Sequence, residues 1–105
     1  MIVILFRSRL TAAAGDDYTA TSDRMLELAR AAPGFVEMRS YKAEDGERMT
    51  VVWWEDHETL RKWREDLRHR AAQERGRQRW YEFYSMEVAD VVRESGFTRP
   101  KGEEL

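Results

Sequence analysis

Residues 51–92 read VVWWEDHETLRKWREDLRHRAAQERGRQRWYEFYSMEVADVV. An apolar run closes on Trp53 and Trp54, and a turn at Asp56 opens a helical segment that carries Trp63. An arginine-rich connection then leads to a second aromatic strand, which begins Trp80-Tyr81-Glu82-Phe83-Tyr84. All four tryptophans of the chain and both histidines, His57 and His69, fall inside this stretch. A pocket in this protein is therefore expected to be walled largely by these residues.

Asp56 is placed to cap the helix, because a short carboxylate accepts from the free amides of a first turn. Glu58 stands where the helix dipole favours an anion. Leu60, Trp63, Leu67 and Ala71 recur at helical spacing and form the expected buried stripe. On an unbroken helix His69 lies opposite that stripe, whereas a break near Asp66 would swing it toward the pocket. Gly76 is the expected helix stop, and Arg77 to Arg79 bridge to the last strand. Residues 80–92 read as one long strand. Trp80, Glu82, Tyr84, Met86 and Val88 share one parity, and Tyr81, Phe83, Ala89 and Val91 share the other.

Upstream, residues 2–9 form a first strand with Ile2, Ile4 and Phe6 on one face and Val3 and Leu5 on the other. Arg7 follows and is expected to pair with Glu37 or Glu87 across the sheet. Asp16 or Asp17 caps a helix whose apolar face carries Tyr18, Met25, Leu28 and Ala32, and Pro33-Gly34 ends it. Residues 35–42 alternate as a strand, with Val36 and Met38 on one side and Phe35 and Tyr41 on the other. Glu44-Asp45-Gly46 is a hairpin turn. The return strand puts Met49, Val51 and Trp53 on one face and Val52 and Trp54 on the opposite one. One tryptophan is thus expected to meet the helices and its neighbour a partner protomer.

The chain has 105 residues, is 42% hydrophobic and carries a formal charge of −2. That suits one folded domain and argues against an extended nucleic-acid footprint. The arginines of the second helical region alternate with Glu65, Asp66 and Glu74, which reads as helical ion pairing, so no nucleic-acid partner is expected. With no cysteine, disulfides, thiolate metal sites and a cysteine nucleophile are excluded. The N-terminal apolar run is too short for a membrane helix and reads as a strand, not a signal peptide. Neither a membrane partner nor a metal is expected, and the location is read as cytoplasmic.

The order β-α-β-β-α-β predicts an α+β, ferredoxin-like domain over residues 1–93, with a four-stranded antiparallel sheet and a polar C-terminal tail over 94–105. Helices on one face leave the apolar side chains of the other face without cover, so a homodimer packed sheet to sheet is expected. Pro33-Gly34-Phe35, Val51-Val52-Trp53-Trp54-Glu55, Trp63-Arg64, His69-Arg70-Ala71-Ala72-Gln73, Gly76-Arg77, Trp80-Tyr81-x-x-Tyr84 and Val88 follow a recognisable pattern. On these pieces the chain resembles the antibiotic biosynthesis monooxygenase superfamily of dimeric α/β-barrel proteins. The resemblance implies one of two activities. One is cofactor-independent oxidation of electron-rich phenols in polyketide biosynthesis, with the substrate itself supplying electrons to dioxygen. The alternative is haem degradation, with haem as substrate and oxygen activator.

Trp63 matches the tryptophan of the haem-degrading branch. The asparagine of that branch has no counterpart, since the chain contains no asparagine and offers Phe6 and Arg7 there. Its axial histidine position is Gln73, with His69 one helical turn earlier. The reading is an oxygenase without cofactor for a small hydrophobic aromatic ligand, haem binding being the alternative and a noncatalytic ligand-binding protein the third. Trp63 and His69 are the expected catalytic residues. Tyr81, Tyr84, Trp54 and Arg64 are expected to bind substrate.

Overall fold

A computed structural model, which describes residues 1–102, has the expected α+β, ferredoxin-like architecture. Strands β1 (Ile2–Leu10), β2 (Phe35–Lys42), β3 (Arg48–Trp54) and β4 (Tyr81–Asp90) form one antiparallel sheet in the order β2-β3-β1-β4. Helices α1 (Asp16–Ala31), α2 (His57–Glu65) and α3 (Leu67–Arg75) accompany it, and a π-helical turn, Gly76–Trp80, joins α3 to β4. Ile2, Ile4, Trp54 and Leu60 form the buried core cluster, with Ala32, Phe35, Val52 and Trp63 packed against it. Trp54, only 1% exposed, is the largest side chain buried there. Its neighbour Trp53 falls on the opposite face with Val3, to which it is paired across β1. Among the described residues no helix is long and apolar enough to cross a membrane.

Turn chemistry follows the sequence where glycine is required. Gly34, after the end of α1, and Gly46, in the β2–β3 hairpin, both have φ +90. That left-handed region costs glycine little and other residues more. A Cβ on Gly34 would also collide with Thr59 and the Trp54 indole, so the α1–β2 connection is locked against α2. Asp56 caps α2 as expected, accepting from the Thr59 amide at 2.8 Å.

Several local expectations fail, each for a physical reason. The cap of α1 is Gly15, and Asp17 instead accepts a hydrogen bond from Trp80 Nε1 at 3.1 Å. A bulge between Phe35 and Glu37 shifts β2 by one residue. Phe35, packed edge-on against Trp54, therefore comes to the helix side with Met38, while Val36 is exposed. Arg7 does pair with a carboxylate, but with Glu47, through two hydrogen bonds at 2.9 and 3.0 Å. Gly76 is no helix stop, because its dihedrals stay helical and the chain winds on to Trp80. Trp80 accordingly belongs to the helical turn and not to the last strand. Ala71, expected in the buried stripe, is exposed, because the helix breaks at Asp66 and restarts in a new phase. The side chain of Leu67, expected in the same stripe, and tail residues 103–105 lie outside the described residues.

Candidate functional site

The helix-facing side of the sheet changes character in rows. The first row is Phe35, Trp54 and Ile2, and the second is Met38, Val52, Ile4 and Val88. The third row, Ser40, Thr50, Phe6 and Met86, mixes hydroxyls with apolar groups. In the fourth, Lys42, Arg48, Ser8 and Tyr84, the apolar groups give way to charge and hydroxyl. Above these rows a cavity of about 440 Å³ opens between the sheet and the helices. Its floor is apolar at one end and polar at the other.

The apolar end carries an aromatic stack. Trp54 lies 6.1 Å from Trp63, and Trp63 lies 4.7 Å from the His69 ring at an interplanar angle of 22°. The break at Asp66 makes the last pair possible. Asp66 has an extended ψ of 127, and its carboxylate accepts from the Arg68 amide at 2.8 Å and the His69 amide at 3.4 Å. The Arg68 side chain, together with these amides, holds the Asp66 carboxyl down at about 2. The capped restart turns His69 inward. Burial pushes the imidazole below its usual value, while the Trp63 carbonyl and the Asp66 carboxylate pull it back up. Its Nδ1 is buried and has no hydrogen-bond partner among the described residues. The result is an imidazole that stays mostly neutral at pH 7.

The polar end is built on phenols. Tyr81 lies edge-on to Phe6, Tyr18 and Tyr84, with ring centroids 5.7, 6.2 and 5.6 Å away. Burial pushes the Tyr81 phenol up; Tyr18 and Tyr84 add to this and the Arg48 guanidinium opposes it. Tyr84 accepts a hydrogen bond from Arg77 Nη1 at 3.2 Å. Regular strand parity would send Tyr81 and Tyr84 to opposite faces. A register shift resolves this, since Phe83 faces Arg9 but Tyr81 faces Leu10, which leaves Glu82 as an extra residue. Such a bulge re-aims side chains beside it, and both phenols reach the cavity.

All six residues singled out from sequence, Trp54, Trp63, Arg64, His69, Tyr81 and Tyr84, line this one cavity. Sequence reasoning passed over Ser8, Tyr18 and Arg48, which line it too. Ser8 is only 4% exposed. The signal for it was its parity with Ile2, Ile4 and Phe6, and Arg48 likewise shares the parity of Val52 and Trp54. His57 stays outside and exposed, with Nε2 2.7 Å from Asp90 Oδ1. Among the described residues no cluster of three or more histidine, cysteine or carboxylate side chains could hold a metal ion.

Comparison with known proteins gives a consistent picture. The model of the family described as antibiotic biosynthesis monooxygenase matches residues 1–75. The Bacillus subtilis (strain 168) protein YqjZ, itself uncharacterized, is 40% identical over 80 residues, which is 76% of this chain and 70% of YqjZ. The jasmonate monooxygenase of Pyricularia oryzae is 28% identical over 94 residues, covering 88% of this chain but 44% of that protein. Among solved structures, SnoaB, a cofactor-independent oxygenase from Streptomyces nogalater, superposes with a TM-score of 0.73 at 14% identity. That likeness, over 89% of this chain and 94% of SnoaB, is one of fold.

Proposed function

This chain belongs to the antibiotic biosynthesis monooxygenase family, and from that premise we propose that it is a cofactor-independent monooxygenase acting on a hydrophobic aromatic metabolite that bears an acidic hydroxyl. The observation that carries the reading is His69. It is a half-buried imidazole in the wall of a largely apolar cavity, stacked on Trp63 and kept below its usual pKa by burial. A neutral imidazole of this kind is suited to take a proton from a bound phenol. The resulting phenolate is the better electron donor to dioxygen. Carbon–oxygen bond formation and loss of water then convert a ring C–H to a carbonyl, so that one dioxygen becomes one product oxygen and one water. Trp63 holds the aromatic substrate by stacking, and Trp54 backs Trp63. The fold likeness to a cofactor-independent oxygenase and the sequence likeness to a jasmonate monooxygenase support the same reaction class.

The test is oxygen uptake with a panel of polycyclic phenols. Turnover on at least one is expected, and His69→Gln and Trp63→Phe should each lower kcat, for His69 by roughly 100-fold or more. Unchanged rates in both variants would sink the assignment. A silent panel with ligand binding retained would leave a noncatalytic ligand-binding protein ahead.

A second reading is haem as the bound substrate, with His69 as its iron ligand in place of Gln73. Both residues line the cavity. A hemin titration followed at the Soret band, with ascorbate added afterwards, separates the two readings. The working unit we propose is a cytoplasmic homodimer joined through the open sheet face, where Val3, Leu5, Val51 and Trp53 are each only partly covered.

A further inference from the structure

The fourth row of the sheet contains a cation, Arg48, with no carboxylate partner among the described residues. The guanidiniums of Arg7, Arg61, Arg68 and Arg77 are each held by acidic side chains. Arg48 has no carboxylate within 4.0 Å among the described residues. Its guanidinium carbon lies 5.9 Å from the centre of the Tyr18 ring, and it borders the cavity. Directly across the strand pair stands Lys42. Like charges placed opposite each other in a sheet repel, so this end of the sheet favours an anion between or above them. On its other side Arg48 is paired with Ser8, and the Tyr18 and Tyr81 phenols add hydroxyl donors beside the same corner.

We propose that this corner is a carboxylate-binding subsite, and that the cavity takes an amphipathic hydrophobic acid with its carboxylate on Arg48. A guanidinium presents two parallel donors that match the two oxygens of a carboxylate. The apolar second row and Phe6 then carry the body of the ligand, whose far end meets Trp63 and His69. The identity of the reacting end rests on the oxygenase reading; the binding of the carboxylate does not.

Binding measured without turnover tests this, using a hydroxynaphthoic acid and its methyl ester in calorimetric titrations. The unmodified protein is expected to bind the acid about tenfold more tightly than the ester. Arg48→Gln should abolish that preference by weakening the acid alone, and Arg48→Lys should restore part of it. Arg30→Gln, at an exposed arginine outside the cavity lining, should leave the preference in place. Equal affinity for acid and ester, binding of neither, or a preference that survives in Arg48→Gln would overturn the proposal. So would an Arg48→Gln variant that weakens both ligands alike. Absence of oxygen uptake with the acid preference intact would refute the oxygenase reading and leave the subsite standing.

Discussion

Replacing Gly76 by alanine sets two effects of similar size against each other. Gly76 has helical dihedrals, φ −59 and ψ −45. Alanine there would gain about 1 kcal/mol of helix propensity over glycine. The structure opposes it, because a Cβ at Gly76 would stand 2.5 Å from Tyr81 Cε2 and 2.9 Å from Cδ2. Carbon atoms rest at about 3.5–4.0 Å, so the ring must retreat by about 1 Å. It has little room to do so, since Phe6, Tyr18 and Tyr84 hold it on other sides. Overpacking of this kind costs about 1–3 kcal/mol. The clash wins, and Gly76→Ala is expected to destabilise by about 1 kcal/mol, lowering the melting temperature by roughly 4–8 °C. A thermal melt reads this directly. In a Tyr81→Ala background the obstruction is gone, and the same Gly76→Ala change should become neutral or stabilising. A Gly76→Ala single variant that melts higher than the parent would refute the claim that Tyr81 is fixed in the cavity wall.

Burial holds the His69 pKa below 6.5, so as pH falls the unfolded chain binds a proton before the folded chain does. Stability is therefore full above that value and declines below it, and His69→Phe should flatten the decline in urea midpoints between about pH 7.5 and about pH 5. On the open sheet face, Trp53→Glu should convert a dimer to a monomer in sedimentation velocity, because it puts a charge into an interface that must exclude water; an unmodified protein that sediments as a monomer would refute that interface.

Regular patterns in the sequence were enough for the architecture. Alternation grouped Ile2 with Ile4 in β1 and Val52 with Trp54 in β3, and the structure brings both pairs together in the core cluster. The spacing of Leu60 and Trp63, with Asp56 as cap, located α2. The misses share one cause: wherever the chain departs from a regular period, parity arguments carry on with the wrong phase. Val36 and Met38 were assigned together because the bulge between Phe35 and Glu37 leaves no composition signal. Ala71 was assigned inward because the stripe was extrapolated through Asp66. Gly76 read as a stop because glycine often ends helices, whereas here its missing Cβ makes room for Tyr81.

These irregularities are where the polar groups of the cavity come from. With an unbroken helix, His69 would point away from Trp63. Without the extra residue at Glu82, Tyr81 and Tyr84 would face opposite sides of the sheet. With a plain helix end at Gly76, Trp80 would lose its place over Tyr18 and its hydrogen bond to Asp17. A break, a bulge and a π-helical turn each cost regular hydrogen bonding, and each aims a functional side chain into the same space. Regular elements supply the apolar floor and walls, which any well-packed domain of this fold needs. The imidazole and the Tyr81–Tyr84 pair are brought in by exceptions to regularity. Restoring regularity at one of them, for instance by deleting Glu82, should therefore leave the fold in place and turn Tyr81 or Tyr84 out of the cavity, while His69 stays stacked on Trp63.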